Sequence, residues 1–140
     1  MCPKKICLPA YEWYGDTYVK HEFPDAWTLN VQHMAGYNTK LLSKIEMMEK
    51  LQHPIGSQPL RDLARGKRKC VIIFDDMTRP TKVWQMLPVV FDELNKGGLT
   101  DDKIVFVKAT GAHGARMLPD FVKKLGEDVA ERFLVFNHNP

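Results

Sequence analysis

The sequence is poor in the features that would assign it to a class at once. No apolar run approaches the roughly 20 residues that a helix needs to cross a bilayer, so a helical membrane span is excluded. Met1-Cys2-Pro3-Lys4-Lys5 is followed by only a short apolar run, unlike a secretory leader. There are three cysteines, Cys2, Cys7 and Cys70, and none forms a metal-like cluster with histidine. An odd cysteine count without a leader points to the reducing cytoplasm, with Cys70 a free thiol in an apolar strand. The net charge of +3 is too small to argue for a nucleic-acid partner, and the basic run Arg65-Gly66-Lys67-Arg68-Lys69 reads as a solvated loop before a strand. Neither G-x-G-x-x-G nor G-x-x-x-x-G-K-[ST] occurs, and no serine or cysteine nucleophile motif is present. His21, His33 and His53 show no zinc spacing. Repeats and low-complexity segments are also missing.

What remains is an α/β pattern. Hydrophobic residues make up 44% of 140 residues, enough apolar surface for one domain core. Residues 1–34 read as a β-rich leading segment. Ile6–Leu8 is short and apolar, while Thr17–Phe23 and Trp27–Gln32 alternate as half-buried strands do, with turns at Gly15-Asp16 and Pro24-Asp25. Residues 35–68 form a helical linking region. A helix is predicted over 38–51, capped by Asn38 or Thr39, with a core stripe of Leu41, Leu42, Ile45, Met48 and Leu51. A short helical turn through Leu60 and Leu63 follows.

Residues 69–140 read as a Rossmann-like βαβαβ unit. Cys70–Phe74, Lys103–Lys108 and Leu134–Phe136 are continuous apolar runs, the pattern of strands buried on both faces of a parallel sheet. Helices are predicted at about Lys82–Lys96, stopped by Gly97-Gly98, near Asp120–Lys124, and over Glu127–Arg132. The last strand has no following helix, and the arrangement is read as truncated.

Open parallel sheets bind ligands outside the carboxyl ends of their strands. The first such loop is Asp75-Asp76-Met77-Thr78-Arg79-Pro80. Pro80 suits the first turn of a helix, which would set Thr78 and Arg79 at a helix N-terminus fit for a carboxylate or phosphate. The same residues also fit a plain cap by Asp76 or Thr78 with Arg79 paired to an acid. The second loop, Ala109 to Arg116, holds His113 between glycines, which lets the backbone approach a ligand and sets a proton-transfer group at a strand end. The third, Asn137-His138-Asn139-Pro140, offers His138 either to the same cleft or to a turn.

Together these loops resemble the nickel-pincer lactate racemase family. Asp76-x-Thr78-Arg79-Pro80 is similar to its D-x-T-R-P segment and Ala109-Thr110-Gly111-Ala112-His113 to its A-T-G-x-H segment. Leu125–Val129 through Asn137-His138, His53–Ser57 and Tyr14-Gly15 resemble three further family segments in the same order. The sequence departs at Gly114-Ala115, where the family carries Arg-Pro.

The resemblance implies a racemase or epimerase of a small 2-hydroxy acid. Its cofactor would be nickel in a pincer made from pyridinium-3-thioamide-5-thiocarboxylic acid mononucleotide. The substrate hydroxyl is deprotonated while its α-hydride moves to the pyridinium. It further implies His113 as catalytic acid/base, Arg79 as holder of the substrate carboxylate, Asp76 as a polar partner, and Thr78, Thr110 and Gly111 as cofactor-binding. The family's cofactor-linking lysine, nickel-binding histidine and second catalytic histidine have no counterpart in these residues. The chain alone is therefore expected to hold no nickel, and its partner would be the C-terminal part of the same protein, with no nucleic acid and no membrane. Two other readings stay open: a nucleotide- or phosphate-binding α/β protein using Thr78 and Arg79, and a non-catalytic remnant.

Overall fold

A computed structural model describes residues 4–10 and 17–139. Cys2 and the turns predicted at Tyr14-Gly15 and Gly15-Asp16 lie outside the described residues. The chain divides into two compact units, Met1–Leu41 and Leu42–Pro140.

In the first unit, β1 (Lys4–Pro9) and β2 (Tyr18–Phe23) pair antiparallel, from Lys4 opposite Phe23 to Pro9 opposite Tyr18. The strand predicted over Trp27–Gln32 does not form. Trp27 closes a turn onto the Pro24 carbonyl (3.0 Å) and its ring leans on Phe23, with centroids 6.1 Å apart. Alternation there marks side-chain contact without a ladder, since Trp27 and Val31 are both more than half exposed.

The second unit is built on a three-stranded parallel sheet in the order β3 (Cys70–Phe74), β4 (Ile104–Lys108), β5 (Leu134–Asn137). All three strands are where the apolar runs predicted them, and both pairings are parallel. Five α-helices accompany it: α1 (Lys44–Gln52), α2 (Leu60–Ala64), α3 (Leu87–Lys96), α4 (Leu118–Leu125) and α5 (Glu127–Arg132). None of them is long and apolar enough to cross a membrane.

Period-two alternation sends Ile72, Phe74, Ile104, Phe106 and Val135 into one core with Leu87, Phe91, Leu94, Phe121, Leu125, Val129 and Phe133. Phe106 is fully enclosed: Phe74, Phe91 and Phe133 pack edge-on against it at 5.5–6.2 Å between centroids. The opposite face corrects the prediction of burial on both sides. Val71, Ile73, Leu134 and Phe136 are half exposed or more, with Ile73 at 71%. Apart from Val89, the buried apolar residues of the helices join the cluster around Phe74 and Phe106, so among the described residues the helices cover that face.

Helix boundaries supply two more corrections. α1 begins at Lys44, not at residue 38, because Ser43 and Glu46 form a reciprocal capping box that fixes the start there. Leu41 and Leu42 thus precede the helix and are exposed, as is Ile45, while Met47, Met48 and Leu51 are only half-buried; the predicted core stripe is a partly open face. Likewise α3 begins at Leu87, after a 3₁₀ turn at Val83–Gln85, and its first-turn proline is Pro88. Pro80 starts no helix, and Thr78 and Arg79 do not stand at a helix N-terminus.

Close approach of α2 to α3 depends on Gly97. A methyl group there would lie 2.5 Å from the Ala64 Cβ and 2.6 Å from the Arg61 carbonyl. The same junction carries a two-pronged ion pair, in which Arg61 Nε and Nη2 donate to fully buried Glu93 at 2.7 and 2.9 Å. We expect Gly97→Ala to destabilise the chain by about 1–3 kcal/mol through this clash. Denaturant unfolding measures it; an unchanged midpoint would show that α2 does not pack as described.

Candidate active site

Pairing of β3 with β4 ends at Phe74 opposite Lys108, and the ladder continues as the Ala109 N–H donates to the Phe74 carbonyl (2.8 Å). The loops after the two strands therefore leave the sheet side by side. The first turns back at once: the Arg79 N–H donates to the Asp76 carbonyl (3.2 Å). The second makes a similar turn, His113 N–H to the Thr110 carbonyl (3.1 Å), through Gly111 at φ +56°, a conformation that side chains disfavour.

Between the loops stands a side-chain hydrogen bond, His113 Nδ1 to Asp76 Oδ2, closing 37 residues of sequence. Asp76 is 5% exposed, and its other oxygen accepts from the Thr78 N–H (3.0 Å) and the Thr78 hydroxyl (2.5 Å). Burial pushes this carboxyl up. Hydrogen bonds from the Thr78 hydroxyl, the His113 ring and the Thr78 N–H outweigh burial and hold it at about 2, below its ordinary 3.8. An ionised carboxylate only accepts, so His113 donates from Nδ1, and in the neutral ring Nε2 is then the nitrogen that carries the lone pair. The ring is 52% exposed, which leaves Nε2 accessible.

Of the other predicted residues, Thr78 is exposed and bonded to Asp76, and Gly111 is exposed with open space around it. Arg79 is exposed, and its guanidinium makes no ion pair among the described residues. The plain-cap reading is therefore not what forms: Asp76 closes a local turn, and Arg79 pairs with no acid among the described residues. Thr110 is buried and its hydroxyl donates to the His138 carbonyl (2.8 Å), tying the ends of β4 and β5. The His138 ring is exposed, and its N–H continues the ladder to the Lys108 carbonyl (3.0 Å).

Sequence reasoning passed over three residues that shape these loops. Lys124 Nζ donates to the Arg79 carbonyl (2.8 Å) and pairs with Asp75 (2.9 Å), and Lys108 Nζ donates to the Gly114 carbonyl (3.1 Å). Asn137 brackets Arg116, accepting from its N–H (3.0 Å) and donating to its carbonyl (3.1 Å). A signal existed: Lys108 falls on the buried alternation of Ile104 and Phe106, and Lys124 on the helical face of Phe121 and Leu125.

Because the Asp76 carboxyl titrates lower in the folded chain than unfolded, the fold binds fewer protons. Its contribution is complete above about pH 4 and is lost as pH falls through about 2. We expect wild type to exceed Asp76→Asn by up to about 2 kcal/mol near neutral pH, with the gap closing below pH 4. Thermal melts of both proteins from pH 2 to 6 test this; a gap that stays constant would refute the assigned pairing.

A family model described as "Lactate racemase N-terminal domain" matches residues 14–140. The lactate racemase of Thermoanaerobacterium thermosaccharolyticum is 32% identical over 120 residues, 84% of this chain and 28% of that protein. The lactate racemase of Lactiplantibacillus plantarum is 34% identical over 108 residues, 77% of this chain and 25% of that protein. The structure of the lactate racemase apoprotein from T. thermosaccharolyticum superposes with a TM-score of 0.69 at 28% identity, covering 97% of this chain and 30% of that one. The chain thus spans less than a third of the length of these relatives. A profile match over nearly the whole chain, together with the shared fold, shows that the chain belongs to the lactate racemase family and corresponds to its N-terminal domain.

Proposed function

We propose that this chain supplies the proton-transfer and substrate-anchoring side of a 2-hydroxy acid racemase, lactate racemase-like in its reaction. The observation that carries this reading is the Asp76–His113 pair, which leaves Nε2 as an oriented, accessible base. Asp76 fixes the tautomer and stabilises the ring when it gains charge. Nε2 is placed to take the proton of the substrate C2 hydroxyl and to return it to the same oxygen. Arg79 offers a two-pronged contact for the carboxylate, worth about 1.5–3 kcal/mol as a charge-assisted interaction.

The family resemblance adds a nickel-pincer nucleotide, which when bound supplies the hydride acceptor. Among the described residues no group of three or more His, Cys, Asp or Glu side chains is arranged to hold an ion. Thr78 and Gly111 are exposed and can border the nucleotide, while Thr110 acts through the loop that it ties down. The proposed partner is the remainder of a polypeptide of the relatives' length, laid on the open sheet face of Val71, Ile73, Leu134 and Phe136. The proposed compartment is the cytoplasm.

The nucleotide- or phosphate-binding reading depended on a helix N-terminus behind Thr78 and Arg79, and α3 begins only at Leu87. The racemase reading is tested in a protein of full family length that carries these residues. His113→Ala should lower turnover by about 10²–10⁴ with the fold intact. Arg79→Lys should chiefly raise KM, because an ammonium cannot reproduce the guanidinium fork. A folded His113→Ala protein with full turnover would remove His113 from the chemistry.

A further inference from the structure

Lys108 and Lys124 are the two most deeply buried cations of the described chain, each 1% exposed. Lysine ordinarily extends its ammonium to water and buries only its stem. Here both ammonium groups turn inward, and each ends on a backbone carbonyl of one site loop. Lys124, in α4, reaches across 45 residues to the carbonyl of Arg79 itself (2.8 Å). It also pairs with Asp75 (2.9 Å), so that loop is held at two successive points around Asp76 and Thr78. Lys108, the last residue of β4, donates to the carbonyl of Gly114, the residue after His113 (3.1 Å). Among the described residues Lys108 has no carboxylate partner, so its buried charge is offset by a carbonyl dipole alone.

The second loop has little side-chain packing to hold it near His113. Added Cβ atoms at Gly111 and Gly114 would meet nothing within 4 Å. Residues 111–115 are all exposed, so no side-chain packing fixes the His113 backbone. The chain terminates that loop with the Asn137 bracket on Arg116, beyond His113. An ammonium-to-carbonyl hydrogen bond is stronger and more directional than a neutral one, and burial shields it from competing water.

We propose that Lys108 and Lys124 are positioning residues, each gripping one of the two loops, so that Asp76 and His113 meet in register. Neither touches the reacting atoms. Lys124 sets the loop that carries Asp76 and Arg79, and Lys108 sets the loop that carries His113. The consequence for catalysis rests on the racemase reading above; the arrangement of the pair does not.

The test uses the 140-residue chain itself, without substrate or cofactor. Lys108→Met and Lys124→Met remove the charge and the donor while keeping the length of the side chain. Two signals are read by NMR: the ring ¹⁵N shifts of His113, which report the tautomer, and the ¹³C titration of the Asp76 carboxyl. In each variant we expect a folded chain in which His113 drifts from the Nδ1-protonated form toward a mixture. The Asp76 midpoint should rise from about 2 toward 3.8. A purely structural role forecasts a lower melting temperature with both signals unmoved in the folded protein, and that result overturns the proposal. Should a methionine variant not fold, the glutamine variant at the same position, which keeps an N–H donor, takes its place with the same readouts. Failure of both to fold makes the lysines structural and equally overturns it. In a family-length enzyme the same reasoning gives Lys108→Met a turnover loss of about 10-fold or more, with KM nearly unchanged. A loss there without a shift in the pair signals would implicate another route, whereas shifted signals with no loss would count against the racemase reading alone.

Discussion

Parallel pairing of β3 with β4, in the register that sets Phe74 opposite Lys108, is the constraint from which the rest of the unit follows. Side chains alternate with a period of two, so a slip of one residue in either strand would turn Phe74 or Phe106 out of the core. Those rings anchor the aromatic cluster with Phe91, Phe121 and Phe133, so hydrophobic packing fixes the register. The register in turn fixes where the chain leaves the sheet. Asp76 lies two residues beyond the end of β3 and His113 five beyond the end of β4, close enough for short turns to bring them together. The geometry of a polar site is thus inherited from the packing of five phenylalanines.

The two buried carboxylates of this unit, Glu93 and Asp76, are each accounted for by the partners they keep. Glu93, fully enclosed, receives both arms of Arg61. Asp76 receives three donors and stays ionised. Removing water from a carboxylate is costly unless its oxygens are satisfied, and a satisfied one becomes a fixed dipole that orients its neighbours. At Glu93 that orientation locks α2 to α3. At Asp76 it selects the tautomer of a histidine whose far nitrogen is open to solvent. The same physics gives a staple in one place and a poised base in the other, and the difference is exposure of the second partner.

The order of strands and helices was legible because long apolar runs and glycine stops are strong signals. Cys70–Phe74 and Glu127–Arg132 were predicted with the bounds observed. Asp76, Thr78, Arg79 and His113 stood out because unusual residues after a buried strand carry information that residues within a helix do not. Other features depended on context that no local pattern holds. The start of α1 was decided by Ser43 and Glu46, a capping box outcompeted in the reading by earlier polar residues. Exposure of Val71, Ile73, Leu134 and Phe136 depends on which face the helices take, and a continuous apolar run is silent on that. Lys108 and Lys124 were overlooked because lysine is read as surface by default, although periodicity set both on buried faces.

The open face and the site are not independent. Ile73 directly precedes Phe74, the last residue of β3, and Phe136 directly precedes Asn137, the last residue of β5 and the one that brackets Arg116. On the uncovered face, Ile73 thus sits one step from the strand end where the Asp76 loop begins, and Phe136 one step from the bracket that ends the His113 loop. On the reading proposed above, whatever segment buries Val71, Ile73, Leu134 and Phe136 must arrive beside the Asp76–His113 pair as well. Burying four such side chains contributes several kcal/mol, at about 1.5–3 kcal/mol for each one fully removed from water. That apolar contact would carry the remaining polar groups of a racemase site into place, and it would exclude water from the base that Asp76 has oriented. Completing the core and completing the site would then be one event, driven by the hydrophobic term and aimed by the register of β3 on β4.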